Sequence, residues 1–119
     1  MTAERVVDPG GIQRLLEITG GDIAFVDELI TTYIDDAGAQ IEALRRAAVA
    51  DSIDELVRPA HSLKSSSDGV GAVALTSLCG ALEAEARGGA VVDPIERVAG
   101  IAEIFEATRT ELLAARKMP

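Results

Sequence analysis

Apolar residues recur every three or four positions along nearly the whole of this chain, and no segment alternates with a period of two. This spacing puts the apolar residues on one face of an α-helix, whereas a half-buried strand requires alternation. The chain has two phenylalanines, one tyrosine and no tryptophan, so its core must consist mainly of Leu, Ile, Val and Ala. Such a core suits closely packed helices, and we predict an all-α fold.

Start and stop signals divide this pattern into helices. An Asp-Pro pair at residues 8–9 predicts a short first helix, which paired glycines at 20–21 end. Asp22 is a candidate N-cap for the second helix. A second Asp-Pro pair at residues 93–94 predicts the start of the last helix, which runs to about Arg116.

Other signals lie between these points. The Asp-Asp-Ala-Gly run at residues 35–38 predicts a break or bend within the second helical segment. Asp51 or Ser52 is expected to cap the next helix, with an acidic residue at 54–55 completing a capping box. The glycines of residues 69–71 predict a turn between that helix and its successor.

Short connections between long amphipathic helices favour antiparallel neighbours. We therefore predict an antiparallel up-down four-helix bundle with a short extra N-terminal helix. Residues 8–116 form the single predicted domain, and residues 1–7 and 117–119 are predicted flexible ends. The expected core stripes comprise Ile12, Leu15, Leu16; Phe25, Val26, Leu29, Ile30, Tyr33; Ile41, Leu44, Ala48; Ile53, Leu56, Ala60, Leu63, Ser67; Leu75, Leu78, Cys79, Leu82, Ala86; and Ile95, Val98, Ala102, Phe105, Leu112.

The chain is acidic, with 20 acidic against 11 basic residues and a net charge of −9. Proteins that bind duplex nucleic acid or anionic membranes normally have the opposite balance, so neither partner is expected. Cys79 is the only cysteine, which rules out an internal disulfide and favours a reducing compartment. With no apolar segment of signal-peptide or membrane-spanning type, the sequence predicts a cytoplasmic protein, expected to be a monomer.

His61 is the only histidine in the chain. At roughly 100° per residue, it lies about 130° from the apolar direction of its own helix, on the solvent side. Arg58 and Lys64 flank it along the helix, and Ser65 is a small residue one turn further on. A satisfied core histidine does not fit this phase, but an ordinary surface histidine does, and that alternative stays open on composition alone.

The sequence lacks the residues that several other kinds of functional site require. Di-iron bundle sites require a Glu three residues before each of two histidines, and here Arg58 occupies that position before a single His. A thiolate zinc site requires more than one Cys, so no metal site is expected, and Cys79 is interpreted as an inert core thiol. The loose G-x-G-x-x-A pattern at residues 69–74 follows a helix rather than a strand, and no P-loop for ATP is present.

A longer pattern surrounds His61. Residues 60–67 read AHSLKSSS, Gly71-Ala72 follow, and residues 75–83 read LTSLCGALE. This closely resembles the histidine-containing phosphotransfer (HPt) domain family, whose pattern is A-H-x-L-K-G-S-S-x-x-x-G-A followed by L-x-x-L-C-x-x-L-E. Weaker similarity extends upstream through residues 25–30 and 35–37, so that the resemblance covers most of residues 8–116.

The resemblance implies a four-helix bundle whose exposed histidine carries a phosphoryl group between receiver-domain aspartates. His61 would accept the group through Nε2. Lys64, and by position Arg58 and Arg87, would offset the charge of the phosphoryl oxygens. Glu83 stands where some relatives have a Gln, and it is a candidate to accept a hydrogen bond from Nδ1–H and orient the imidazole.

The implied partners are a response-regulator receiver domain and a sensor or hybrid histidine kinase, and the receiver would supply Mg²⁺, so that the chain itself needs no cofactor. Ser65 departs from the usual Gly after the Lys, but its small side chain should still clear a docking partner. Ile12, Leu16 and Val57 are candidates for an apolar docking patch. Two alternatives use the same fold: a helical binding module that docks a receiver or kinase without accepting phosphate, and a structural bundle with an incidental histidine.

Overall fold

The computed structural model describes residues 5–115, and within them it contains five helices and no strand. The first is short, α1 at Pro9–Ile18, and the other four are longer: α2 at Ile23–Val49, α3 at Ile53–Gly69, α4 at Val73–Arg87 and α5 at Pro94–Ala115. The all-α prediction is confirmed. None of these helices is long and apolar enough to cross a membrane.

The four long helices form a closed ring of packed neighbours. Helix α2 packs against α3 and α5, and α4 packs against the same two helices from the other side. Helix α1 packs against α2. Because each connection between successive helices is only a few residues long, neighbouring helices run antiparallel. This is the predicted up-down bundle with a short extra N-terminal helix.

Two of the predicted helix caps are present. Asp8 caps α1, its carboxylate accepting a hydrogen bond from the backbone N–H of Gly10 at 3.0 Å, with Pro9 in the first helical position. Asp22 caps α2 by accepting from the N–H of Phe25 at 3.0 Å. Each carboxylate satisfies a donor that the first turn of a helix leaves without an intrahelical partner.

The predicted break at residues 35–38 is wrong, because α2 continues without interruption from Ile23 to Val49. Asp35 and Asp36 are exposed, so their side chains remain in water and do not disturb the helix. Tyr33, Ala37 and Ile41 are buried on the opposite face. Asp and Gly have a low helix propensity, but its cost is smaller than the stabilisation that packing of the buried face provides.

The predicted capping box at the start of α3 is also wrong. Ser52 is the N-cap residue, but its side chain makes no capping hydrogen bond. Instead its backbone carbonyl accepts from the N–H of Glu55 at 3.0 Å, which satisfies that donor without the hydroxyl. Asp51 adopts a left-handed conformation with φ of 53°, which closes the turn from α2.

Most of the predicted stripe residues pack into the core. Phe25, Leu78 and Ile95 are exceptions, because they are exposed. Phe25 and Ile95 lie in the first turns of α2 and α5. Cys79 is fully buried, and burial raises the pKa of its thiol to about 12, in agreement with an inert core thiol.

The core contains one buried polar pair that joins two helices. The hydroxyl of Tyr33 on α2 lies 2.7 Å from Oγ of Ser67 on α3. Ser67 is fully buried, so this contact satisfies a hydroxyl that would otherwise lose its hydrogen bonds to water. Burial raises the pKa of Tyr33 to about 12.

Part of the predicted flexible N-terminal end belongs to the packed domain. Val6 and Val7 are buried, and their backbone N–H groups both donate to the carboxylate of Glu111 on α5, each at 3.1 Å. The carbonyl of Val6 also accepts from the N–H of Ala74. The packed domain therefore extends to Val6, because a carboxylate on α5 satisfies this extended backbone. Arg5, in the same predicted end, is exposed. Residues 1–4 and 117–119 of the predicted ends, and the predicted last helical residue, Arg116, lie outside the described residues.

A tight backbone approach fixes the turn between α3 and α4. Gly71 adopts a φ of +76°, in the left-handed region that favours glycine, and its carbonyl accepts from the N–H of Asp8 at 2.7 Å. A Cβ on Gly71 would lie 3.1 Å from the Cα of Gly11 in α1. The turn between α3 and α4 is therefore packed directly against the start of α1, and it has no room for a side chain at Gly71.

We predict that Gly71→Ala lowers the free energy of unfolding by about 2 kcal/mol, because it combines an unfavourable φ with a contact against backbone that cannot move away. Chemical denaturation monitored by circular dichroism measures this loss. Gly69→Ala is the matched control, since a Cβ there meets nothing within 4 Å. Equal stability of the two variants would contradict the prediction.

Candidate functional site

His61 lies in the middle of α3, on the face directed away from the core, as its helical phase predicts. Its side chain is 53% exposed, while its sequence neighbour Ala60 is fully buried. Lys64 follows three residues later and therefore shares this face. Pro59 is buried within the same helix, which continues through it to Gly69.

Helix α4 presents a matching face to His61. Gly80, Glu83 and Arg87 follow one another at intervals of three and four residues, which aligns them along one side of the helix. Glu83 is only 8% exposed although it is charged. A buried carboxylate is tolerated only where charged or hydrogen-bonding groups compensate it.

Three side chains compensate Glu83. Its Oε2 lies 3.0 Å from Nδ1 of His61 and accepts a hydrogen bond from Nε of Arg87 at 2.9 Å, and a terminal nitrogen of the same guanidinium forms an ion pair with it at 2.9 Å. Its Oε1 is buried and forms no well-aligned hydrogen bond, but the ammonium of Lys64 lies 3.0 Å away. We refer to His61, Lys64, Glu83 and Arg87 as the Glu83 cluster.

The cluster keeps Glu83 ionised. Lys64, Arg87 and His61 together lower the pKa of this carboxyl from its ordinary 4.5 to about 2, and Lys64 has the largest effect. Burial acts in the opposite direction and is outweighed. Glu83 is therefore a carboxylate at any physiological pH.

An ionised carboxylate only accepts hydrogen bonds, and this selects the tautomer of His61. When the ring is neutral, its one proton lies on Nδ1, where it is donated to Glu83. The lone pair is then on Nε2, for which the described residues provide no hydrogen-bond partner. The arrangement leaves a nucleophilic nitrogen on an exposed ring whose other nitrogen is held.

The sequence-predicted residues divide into two groups. The structure brings His61, Lys64, Glu83 and Arg87 into direct contact. Arg58 and Ser65 lie on the same helix within one turn of His61, and both are exposed. Neither of their side chains forms a hydrogen bond or ion pair with any described residue. Both cations of the cluster are paired with Glu83, which the sequence analysis did not anticipate.

Gly80 is a site residue that the sequence analysis missed. A Cβ on this glycine would lie 3.3 Å from Cδ of Lys64, so the absence of a side chain leaves room for the lysine stem to cross α4. A glycine inside a helix, three residues before a functional carboxylate, is the signal that could have indicated it. Glycine lowers helix stability there, which calls for a packing reason.

The three predicted docking residues differ in their exposure. Ile12 is buried, and Leu16 and Val57 are partly buried against the core. Ile12 is therefore a core residue of α1 and is not available at the surface.

Within residues 5–115, no three His, Cys, Asp or Glu side chains come together in a group that could hold a metal ion.

Comparisons with known proteins agree with this geometry. The family model described as the Hpt domain matches residues 28–115. The chain is also similar to the crystal structure of histidine-containing phosphotransfer protein B (HptB) from Pseudomonas aeruginosa PAO1, with a TM-score of 0.85, 24% sequence identity and 97% of each chain covered. At this identity the similarity establishes the fold. No curated protein matches the chain significantly.

We predict that Lys64→Met raises the pKa of Glu83 from about 2 toward the ordinary 4.5, because it removes the largest contribution that lowers it. A lowered folded-state pKa contributes stability above pH 4.5 that is lost as the pH falls toward 2, and this contribution should shrink in the variant. Carboxyl-detected NMR titration measures the shift. Glu85, whose pKa Arg97 lowers, is the internal control. An unmoved Glu83 titration would contradict the prediction.

Proposed function

This chain belongs to the Hpt domain family, and we propose that it carries a phosphoryl group on Nε2 of His61 between receiver domains of a phosphorelay. Hpt domains are phosphocarriers rather than kinases, and they interact with receiver domains and kinases. The single observation that carries the proposal for His61 is the contact of its Nδ1 with the carboxylate of Glu83 at 3.0 Å on an otherwise exposed ring.

The proposed reaction forms one bond and breaks one. The Nε2 lone pair of His61 attacks the phosphorus of a receiver's aspartyl phosphate, the Nε2–P bond forms, and the P–O bond to the aspartate breaks. The aspartate carboxylate leaves with the electron pair. The ring keeps its proton on Nδ1 and becomes positively charged, and Glu83 faces that charge directly. The reverse sequence delivers the group to a second receiver.

The cations around His61 provide the charge that phosphoryl transfer requires. This reaction asks the protein mainly for positioning and electrostatic stabilisation, because the group in transfer carries its charge on three oxygens. Lys64 and Arg87 are held beside the ring by Glu83. Arg58, one turn before His61 and exposed, is a third cation that an incoming phosphoryl group could meet.

In the proposed transfer, a receiver domain would supply both the metal ion and the phosphoryl group. We infer that the Mg²⁺ used in transfer is bound by the acidic site of the receiver, where it offsets phosphoryl charge. The small, exposed Ser65 leaves the surface beside His61 open to such a partner. Because the sequence has no P-loop, we propose that the protein has no kinase activity of its own and obtains its phosphoryl group from a phosphorylated receiver or a hybrid kinase.

We predict that a receiver domain phosphorylated in the presence of Mg²⁺ labels the wild-type chain and does not label His61→Gln, because the amide has no nucleophilic nitrogen. Candidate receivers from the same source organism are tried in turn. The label should be acid-labile and base-stable, as expected for phosphohistidine. Circular dichroism verifies that the variant remains helical.

Two results would contradict this proposal. Label on His61→Gln would assign the phosphoryl group to another residue. A receiver that binds the folded wild-type chain without labelling it would instead support the helical binding module.

We predict opposite effects of Gly80→Ala on stability and on transfer. Alanine in a helix interior raises the free energy of unfolding by about 0.5–1 kcal/mol relative to glycine. The new Cβ meets Cδ of Lys64, however, so the lysine must shift and transfer should slow roughly threefold.

Gly100→Ala is the matched control for this variant. A Cβ on Gly100, within α5, meets nothing within 4 Å, so it should give the stability gain without the loss of rate. Denaturation and initial transfer rates measure the two effects. Equal transfer rates for both variants would exclude a positioning role for Gly80.

A further inference from the structure

Glu83 contacts Nδ1 of His61 and two of the three cations near its ring, Lys64 and Arg87. Its two oxygens contact Nδ1 of His61, the ammonium of Lys64 and the guanidinium of Arg87, all at 2.9–3.0 Å. The ring of His61 is 53% exposed, whereas Glu83 is 8% exposed. A phosphoryl group on Nε2 would therefore stand on the solvent side of the ring, and Glu83 stands on the protein side.

Lys64 and Arg87 pair with Glu83 and would also be attracted by a phosphoryl group on the neighbouring ring. A phosphoryl group carries roughly two negative charges and three acceptor oxygens, so it attracts both cations outward. Their side chains are 37% and 59% exposed, which leaves them room to turn. Each hydrogen bond that a cation gives to the phosphoryl group is one that it withdraws, wholly or in part, from Glu83.

We propose that Glu83 competes with the phosphoryl group for Lys64 and Arg87, and that this competition weakens the hold of the carrier on the phosphoryl group. The inference rests on the proposed function of His61. It makes Glu83 a positioning residue with a second role: it fixes the ring for acceptance and favours the later donation of the group to a receiver.

One effect of Glu83 acts in the opposite direction. After phosphorylation the ring is positively charged, and its Nδ1–H donates to the carboxylate more strongly than to a neutral acceptor. This is one strengthened contact. Two other effects oppose it. Two cations are drawn away from Glu83, and the negative charge of the carboxylate repels the phosphoryl oxygens. Under this proposal, the loss at two cations, together with this repulsion, exceeds the gain at one contact and so destabilises phospho-His61.

A carboxylate differs from an amide at this position in charge and not in shape. Glutamine keeps an oxygen that accepts from Nδ1–H but holds neither cation by charge. Glu83→Gln therefore preserves the orientation of the ring and releases Lys64 and Arg87 to the phosphoryl group. Glu85→Gln is the matched control, since Glu85 lies on the same helix and pairs with Arg97 rather than with the cluster.

The experiment uses the receiver that labels the wild-type chain. Forward and reverse transfer rates between that receiver's aspartyl phosphate and His61 are measured for wild type, Glu83→Gln and Glu85→Gln, and their ratio gives the equilibrium constant. Glu83→Gln should shift the equilibrium toward phospho-His61 by about fivefold, the size expected for one partly exposed ion pair. Glu85→Gln should leave it unchanged.

A second variant tests whether the effect passes through the cations. In a Lys64→Met background, Glu83→Gln should shift the equilibrium by a clearly smaller factor, because one of the two contested cations is absent. A purely structural role of Glu83 would give the same factor in both backgrounds.

A further measurement needs no substitution. The ¹H–¹⁵N resonance of Arg87 Nε–H reports its partner, which is Glu83 Oε2 in the unphosphorylated chain. Phosphorylation of wild-type His61 with phosphoramidate, which transfers its phosphoryl group and releases ammonia, should shift this resonance. The result therefore stands even if Glu83→Gln does not fold.

The outcomes separate this inference from the proposed function. Label on wild-type His61 with an unchanged or reversed equilibrium in folded Glu83→Gln, or an unmoved Arg87 resonance, overturns the competition alone. Failure of every receiver to label the wild-type chain overturns the proposed function and the competition with it.

Discussion

The buried carboxylate of Glu83 is the interaction on which the rest of the site depends. It compensates the charges of Lys64 and Arg87 and holds the ring of His61, so these groups are oriented before any partner arrives. His61 and Lys64 belong to α3 and Glu83 to α4, so the contacts form in only one register of the two helices. The turn at Gly71, with its left-handed φ and its close approach to Gly11, joins these two helices and packs against α1.

The fold was largely predictable because its main determinants are local. Apolar spacing, the caps at Asp8 and Asp22 and the proline at the start of α5 all act within a few residues of one another. The incorrect predictions concern features that depend on contacts between residues far apart in the sequence. The interruption expected in α2 is absent because Tyr33, Ala37 and Ile41 pack against other helices. Val6 and Val7 are ordered by Glu111, which is more than a hundred residues away.

The features of the site also differ in whether they depend on one helix or on contacts between helices. The exposure of His61 follows from its angle on one helix, and the sequence predicted it correctly. Periodicity alone does not show that Glu83 reaches Nδ1, because this requires the register between two helices; the family resemblance indicated it. Neither route indicated that Lys64 and Arg87 are both paired with Glu83, or that Gly80 leaves space for the lysine stem, because these contacts depend on side-chain paths between α3 and α4.

A site that binds its cations before the reaction must release them during it. The ion pairs that compensate Glu83 keep Lys64 and Arg87 ordered beside the ring, which lowers the entropic cost of arranging them when a phosphoryl group arrives. The same pairs oppose the turn of those cations toward the group, and a carrier that bound its phosphoryl group too tightly would not pass it on. Ordering of the cations before transfer and release of the phosphoryl group after it therefore depend on the same carboxylate. An amide at this position would keep the ring oriented but would hold neither cation by charge.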